Sequence, residues 1–404
     1  MITPTLSGLR AGCTAVAEAT ADDTVDGVPA RWVAWPHSTE EVSAVLCAAA
    51  GLGLRVVARG TGTRLSWGVP PTGLDLIVDT SRMNAVLSHV AGDLVVTTQA
   101  GLPMVDLQNQ LAPHRQRLAL DSDGTVGGTI ATAASGPLRY RYGSVRDLLI
   151  GITVVLADGT VTRSGGTVVK NVAGYDLGKL YTGSLGTLGV ITEAVFRLHP
   201  LPEVSCWITV PAPDATRAAA AVAAVRVSQH DPAAIEVDRR ASGSSVTVGI
   251  ALEGVAGGID ARADAVADLL AAAAGTPATV TEQPPDWWGQ PPHPPQGPAA
   301  KVTCEPTGLA ELLTTAPGAL RGAAGAGVLV VGLDDGDQLG TELAQLRRIA
   351  TRHGGSAVLH CASPHRKAAL DVWGPVPALG LMRRLKDQFD PEHRLAPGRF
   401  VGGI

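Results

Sequence analysis

Apolar positions along this chain change period several times, and each change marks an element. After Arg31-Trp32-Val33-Ala34-Trp35-Pro36, an apolar run stopped by proline, Ser38-Thr39-Glu40-Glu41 has the form of a capping box, with Ser38 as N-cap and Glu41 at the third helical position. Val42, Val45, Leu46 and Ala49 then share one face of a helix that Gly51 or Gly53 ends. Leu54 to Ala58 reads as a short buried strand running directly into Arg59-Gly60-Thr61-Gly62-Thr63. Further strands are predicted at 75–79 and 94–99, and a helix from Pro103 carries Val105, Leu107 and Leu111. Residues 151–156 and Val161 flank Asp158-Gly159 as a hairpin, and a strand over 190–198 ends before Pro200 and Pro202.

The texture changes from Glu203. A strand over 204–210, an alanine-rich helix from Asp214, strands near Ile235 and over 246–252, a helix from Asp260 to Ala274 and a strand over 278–281 form one set. A second similar set follows from Lys301 to His360, so the order predicts two ferredoxin-like halves sharing one antiparallel sheet. Between them, 283–295 holds too many prolines for a helix or sheet interior. It is either a surface linker or, because adjacent Trp287 and Trp288 are costly to leave in water, a lid or docking surface. A last helix is predicted over 381–389.

A chain of 404 residues exceeds one ordinary core, so two domains are expected: 1–202, completed by 381–404, and a cap or substrate domain over 203–380. Hydrophobic content of 45% against 17% charge suits globular packing, and a net charge of -5 argues against a nucleic-acid partner. The five cysteines, Cys13, Cys47, Cys206, Cys304 and Cys361, form no C-x-x-C pair, which disfavours an iron–sulfur or zinc framework and fits a reduced cytosol. Residues 1–30 hold no apolar run framed as a signal peptide, and no 18-residue apolar stretch follows, so direct membrane insertion is not expected.

Three glycine-rich segments carry the candidate chemistry. In ARGTGTRLSWG, 58–68, glycines let successive N–H groups converge on an anion such as a pyrophosphate, although such loops also serve as plain turns. In DGTVGGTIATAASGPLRYRYGSVRD, 123–147, Gly127 and Gly128 open a short helix of tiny residues running from Ala131 to Ser135 and ending at Gly136. Small side chains there let a flat ring lie against backbone, or let two helices pack tightly. In GGTVVKNVAGYDLGKLYTGSLGTLGVI, 165–191, Lys170, Tyr175 and Asp176 stand in a compact apolar context, and Gly183, Gly186 and Gly189 recur every third residue.

The three segments together resemble the FAD-binding domain of the vanillyl-alcohol-oxidase/p-cresol-methylhydroxylase (PCMH-type) superfamily. KNVAGYDLGKLYTGSLGTLGVIT is similar to its D-lactate dehydrogenase and glycolate oxidase branch. GPLRYRYGSVRD, Asp371-Val372-Trp373-Gly374-Pro375 and LKDQFDPEHRLAPGRF narrow the likeness to the FAD-binding E subunits of bacterial glycolate oxidase (glycolate dehydrogenase). The resemblance implies an α+β protein: a two-lobed PCMH-type FAD-binding domain with a ferredoxin-like antiparallel-sheet cap. It implies that Arg59, Gly60, Thr61, Gly62 and Thr63 hold the FAD pyrophosphate. Thr125, Val126, Gly127, Gly128, Ala131, Ala134, Ser135 and Gly136 would line the flavin and ribityl chain, and Gly101, Tyr142, Gly143, Gly189, Val190 and Ile191 would also touch the cofactor. Pro397-Gly398-Arg399 matches the family's C-terminal return to the flavin edge, with Ala396 where asparagine is usual.

Neither of the first two segments holds the histidine or cysteine through which some relatives attach the flavin, so FAD is expected to be non-covalent. Relatives that oxidise D-2-hydroxy acids carry a metal motif of the form H-x-G-D-G-N-x-H; Gly355 to Cys361 offers His360 alone, so no metal is expected. His360 and Arg399 are the candidate catalytic residues, and a lone histidine at a strand end also reads as structural. The resemblance implies a flavoprotein subunit of a complex that oxidises glycolate or related 2-hydroxy acids to 2-oxo acids. Its partners would be a catalytic flavoprotein paralogue and an iron–sulfur subunit, in the cytoplasm or at the inner face of the membrane through those partners. A stand-alone FAD-dependent 2-hydroxyacid (D-lactate-type) dehydrogenase or oxidase, and a non-catalytic electron-relay or structural flavin subunit, are the alternatives.

Overall fold

The computed structural model describes residues 4–168, 174–294 and 297–404. Their packing divides the chain into two units: 1–134 with 144–201 and 375–404, and 135–143 with 202–374. The short stretch 135–143 thus goes with the second unit although chain order places it inside the first.

In the first unit, strands β1 (Val16–Glu18), β2 (Trp32–Ala34), β3 (Val56–Arg59) and β4 (Leu76–Asp79) form a sheet in the order β1-β2-β4-β3. β2, β4 and β3 run parallel, which buries every residue of β4 and explains its unbroken apolar run. Helices α1 (Pro4–Gly12) and α2 (Thr39–Gly51) pack together beside this sheet. Val42, Val45, Leu46 and Ala49 of α2 are buried with Val56, Leu76 and Val78. Ser38 caps α2 by accepting from the Glu41 N–H at 3.2 Å, but the Glu41 carboxylate accepts from the His37 N–H at 2.8 Å, one residue before a regular capping box.

A second sheet of this unit is antiparallel: β5 (Val86–Val90), β6 (Val95–Gln99), β7 (Leu149–Val155), β8 (Val161–Gly165) and β9 (Val190–Arg197), in the order β8-β7-β9-β6-β5. The β7-β8 hairpin turns at Gly159, whose φ of +91° suits glycine. Helix α3 (Met104–Leu111) buries Met104, Leu107 and Leu111 and leaves Val105 exposed. Helix α4 (Val126–Thr132) opens at Gly127 and Gly128 as expected but stops short of the expected end at Gly136: Ala133 turns left-handed, φ +50°, and its N–H caps the Ile130 and Thr129 carbonyls. The C-terminal helix Leu379–Phe389 returns to this unit and is fixed by Lys386, fully buried, whose ammonium donates to the Thr187 carbonyl (2.7 Å), Asp390 Oδ2 (2.7 Å) and the Leu395 carbonyl (2.9 Å).

The second unit contains α5 (Arg139–Tyr142) and two βαββαβ halves. The first is β10 (Val204–Ala212), α6 (Ala215–Arg226), β11 (Ala234–Arg239), β12 (Val246–Gly254), α7 (Ala256–Ala274) and β13 (Thr279–Thr281). The second is β14 (Ala299–Thr303), α8 (Leu309–Thr315), β15 (Leu320–Ala323), β16 (Val328–Gly332), α9 (Leu339–Arg352) and β17 (Ala357–Cys361). One eight-stranded antiparallel sheet joins them in the order β13-β10-β12-β11-β15-β16-β14-β17, the two ferredoxin-like halves the sequence predicts. Ile208, Val210, Val248, Ile250, Ile235 and Val237 are buried at alternate positions, while the neighbouring positions bring polar and charged residues to the other face.

The proline-rich loop between the halves is seated, not free. Trp287 and Trp288, ring centroids 5.6 Å apart, lie over Gly249 of β12, where a Cβ would come within 2.9 Å of both rings. Arg321 pairs with Asp238 at 2.7 Å and donates to the Gln290 and Pro291 carbonyls, tying the loop to the sheet.

Candidate functional site

The first unit carries a cleft that opens to solvent. Its rim is the loop after β3. Arg59 and Asp79 are opposite each other in the parallel β3-β4 pair, and Arg59 Nε donates to Asp79 at 2.8 Å while Nη1 donates to Asp23 at 2.9 Å. Burial alone would loosen the guanidinium's proton; the two carboxylates more than offset that and hold it above its ordinary value. The Arg59 side chain therefore anchors the loop instead of offering a free cation to a ligand.

Beyond it, the backbone N–H groups of Thr61, Gly62, Thr63 and Arg64 donate to no acceptor among the described residues. Thr61, Gly62 and Thr63 are exposed along the cleft, and Gly62 has φ +80°. Four successive unpaired donors in a glycine-bearing loop make an anion-binding concavity. Arg64 steadies the loop from the side, its Nη1 donating to the Asp123 carbonyl at 2.9 Å.

The floor is α4. Thr125 Oγ1 caps it by accepting from the Gly128 N–H at 3.2 Å, the Val126 N–H goes to the Leu102 carbonyl and the Gly127 N–H to the Ala100 carbonyl at 2.7 Å. This helix start is already satisfied by the protein, so an anion is better held by 61–64. At the other end, Gly183 and Leu185 donate to the Ile130 and Ala131 carbonyls, which presses the loop 183–189 against α4.

Arg399 closes one side. Its Nη2 donates to the carbonyls of Leu65 and Trp67, both at 2.7 Å, while Nη1 is buried without a partner. Burial pushes the guanidinium down to about 10, with Asp26 opposing. A buried cation with an unmet donor beside a cleft suits a ligand that carries negative charge.

The cleft brings together Arg59, Gly60, Thr61, Gly62, Thr63, Thr125, Gly127, Gly128, Ala131, Gly189, Ile191 and Arg399. Gly101 lies off it, because the space where a Cβ would stand holds the Thr80 carbonyl. Val126, Ala134 and Val190 point into the core. Ser135, Gly136, Tyr142 and Gly143 fall in the second unit, where the Tyr142 hydroxyl donates to Glu253 at 2.7 Å. Gly186, one of the glycines recurring every third residue, also lines the cleft, whereas Thr80, Ala100 and Leu185 do so without a sequence signal, since nothing in their local pattern separates them from ordinary loop and strand residues. Lys170 lies outside the described residues, and Tyr175 is 91% exposed instead of standing in an apolar context.

Residues 30–165 match the FAD binding domain family. The chain carries an FAD-binding domain of the PCMH type. It is 39% identical over 178 residues to the mitochondrial D-lactate dehydrogenase [cytochrome] 1 of Saccharomyces cerevisiae, covering 43% of this chain and 30% of that protein. It is 34% identical over 205 residues to glycolate oxidase subunit GlcD of Bacillus subtilis, covering 50% and 44%. Against glycolate oxidase subunit GlcE of Escherichia coli it is 36% identical over 155 residues, covering 37% and 44%. The chain thus spans less than half the length of each of these relatives. An alkyldihydroxyacetonephosphate synthase structure superposes with a TM-score of 0.67 at 20% identity, covering 92% of this chain and 76% of the other, which shows the shared fold.

The residues of the cleft fit FAD. The open N–H row at 61–64 suits the pyrophosphate, and Gly127, Gly128, Ala131, Gly186 and Gly189 leave room for a flat ring. No histidine or cysteine lines the cleft. All five cysteines are free thiols, with only Cys47 exposed. In the second unit, His360 is half-buried on β17, and among the described residues no group of three or more metal-binding side chains comes together. No helix among them is long and apolar enough to cross a membrane.

Proposed function

We propose that this chain is the FAD-binding flavoprotein subunit of a glycolate oxidase (glycolate dehydrogenase)-type complex. In that role it takes part in oxidising glycolate or a related 2-hydroxy acid to the 2-oxo acid. The observation that carries the reading is the row of four unpaired N–H groups at 61–64, held in place by the paired Arg59 and facing a floor of glycine and alanine. The similarities to GlcD, GlcE and a D-lactate dehydrogenase supply the substrate class.

FAD, when bound, supplies the two-electron acceptor for the C–H and O–H hydrogens that the hydroxy acid loses. The chain's own residues hold it: 61–64 by backbone donation, Arg399 by a buried positive charge, and α4 by a flat small-residue floor. Electrons leaving the flavin are assigned to a catalytic flavoprotein paralogue and an iron–sulfur subunit, since the five dispersed cysteines build no cluster site here.

The test is anaerobic mixing of the purified, flavin-loaded chain with glycolate or D-lactate. The expected result is a flavin band that stays until the paralogue is added. Bleaching by the chain alone would overturn the subunit assignment in favour of a stand-alone dehydrogenase, the reading that the D-lactate dehydrogenase likeness favours. A band that never bleaches, with partners present, would leave a structural subunit whose flavin takes no electrons.

A further inference from the structure

Two stretches far apart in the chain line the cleft beside the open N–H row at 61–64. The loop 183–189 contributes Leu185, Gly186 and Gly189, and the C-terminal return 395–399 contributes Arg399. Neither keeps its shape by local preference. Leu185 has φ +53° and Ala396 φ +43°, conformations that residues with a Cβ rarely adopt, so ties from outside must hold both segments. The loop is tied at its start, where the Gly183 and Leu185 N–H groups donate to carbonyls of α4. The return is tied to β3, where the Ala396 N–H donates to the Val56 carbonyl at 2.7 Å.

One ammonium joins the two segments to each other. Lys386 is fully buried, and its three N–H donors meet three acceptors: the Thr187 carbonyl in the loop, the Leu395 carbonyl at the start of the return, and Asp390 Oδ2. Asp390 Oδ2 also accepts from the Leu395 N–H at 2.7 Å, so the return is gripped through both its carbonyl and its amide. An apolar side chain of similar size would anchor the helix Leu379–Phe389 without taking an ammonium and a carboxylate out of water. Apolar contact is non-directional, however, whereas charge-assisted bonds fix the places of the carbonyls they meet. A buried ion pair at the junction of two cleft-lining segments therefore does what packing alone does not.

We propose that Lys386 is a positioning residue for the FAD cleft: by holding Thr187 and Leu395 to one ammonium, it sets the loop that carries Leu185, Gly186 and Gly189 against the return that carries Arg399, so that bound FAD meets both. This role concerns the cofactor alone and does not depend on which acid the flavin oxidises. It predicts that breaking the junction loosens FAD by more than the accompanying loss of stability explains.

The experiment compares the flavin-loaded full chain with Lys386→Met, with Lys386→Met/Asp390→Leu, and with Leu46→Ala. The last empties a buried site on α2 at comparable cost to stability and lies outside the cleft lining. FAD release is followed by free-flavin fluorescence on dilution, and the seating of the ring by visible circular dichroism, at a temperature where far-ultraviolet dichroism shows every protein folded. Both lysine variants are expected to raise the FAD dissociation constant at least about tenfold and to alter the visible dichroism, whereas Leu46→Ala stays within about twofold with an unaltered spectrum. Should Lys386→Met fail to fold, the double variant carries the test, because it also removes the carboxylate that the single change strands. Release from the lysine variants that matches Leu46→Ala or the unaltered protein, with the same visible dichroism, overturns the proposal and leaves a lysine that only supports the fold.

Discussion

Gly60 is needed for a reason internal to the protein, and Gly60→Ala tests it. A Cβ at residue 60 would stand 2.3 Å from Thr125 Oγ1 and 2.9 Å from its Cγ2, both far inside van der Waals contact. Thr125 is 3% exposed and cannot swing into solvent, and its hydroxyl is the N-cap of α4. The alanine must therefore displace the cap, costing about 1 kcal/mol, and strain the packing, costing about 1–3 kcal/mol more. The sum of about 2–4 kcal/mol corresponds to a fall in melting temperature of about 5–15 °C for a unit of this size. Thermal unfolding by circular dichroism, with flavin content per chain measured beside it, reads both consequences. Thr125→Ala alone loses only the cap, about 1 kcal/mol, and in Gly60→Ala/Thr125→Ala the second methyl occupies vacated space. The pair should then couple by about 1–3 kcal/mol, with the double variant near Thr125→Ala in stability. If Gly60→Ala lowers the midpoint equally with and without Thr125→Ala, or leaves it unmoved, the steric argument is wrong.

Lys386→Met should destabilise the first unit by about 3–5 kcal/mol in urea unfolding, because it leaves Asp390 buried without its cation and frees the Thr187 and Leu395 carbonyls. Lys301→Met should do the opposite at pH 7, raising stability by about 2–3 kcal/mol by removing a charge that is costly to bury. The folded lysine titrates near 8 against 10.5 in the unfolded chain, so that gain is full below pH 8 and vanishes as pH rises to 10.5; equal stability of the two proteins at pH 7 would refute the burial argument. The Asp75 carboxyl is raised by burial but lowered more by hydrogen bonds from Arg55, so it sits below its ordinary range. Its contribution is present above about pH 3.9 and is lost as pH falls through the lower folded value; Arg55→Met should therefore lower urea midpoints at neutral pH and converge with the unaltered protein in acid, and an equal loss at both pH values would refute the pairing argument. Arg399→Met should release the Leu65 and Trp67 carbonyls and cut retained flavin several-fold on gel filtration, with full retention counting against the arginine's place at the cleft.

Much of the scaffold was legible from local pattern. The face Val42, Val45, Leu46 and Ala49, the Asp158-Gly159 turn and the two βαββαβ halves follow from periodicity and turn chemistry, which act within a few residues. The glycine-rich loop after β3 was legible as an anion nest for the same reason. The role of Arg59 was not, because a guanidinium beside glycines looks like a phosphate ligand until Asp23 and Asp79 are brought to it from 36 and 20 residues away. Nor was the assignment of 135–143, whose Tyr142 hydroxyl meets Glu253 from 111 residues away.

By itself, the sequence determined which segments form most of the helices and strands and where glycine lets the backbone turn left-handed. The tertiary structure alone decided which charges are neutralised and which are not. Arg59, Arg321 and Lys386 are paired, while Lys301 is left half-buried beside a second cation. The physical reason is range: dihedral preference and hydrophobic period are properties of neighbouring residues, whereas a charge's partner and its dielectric surroundings are set by segments far apart in the chain.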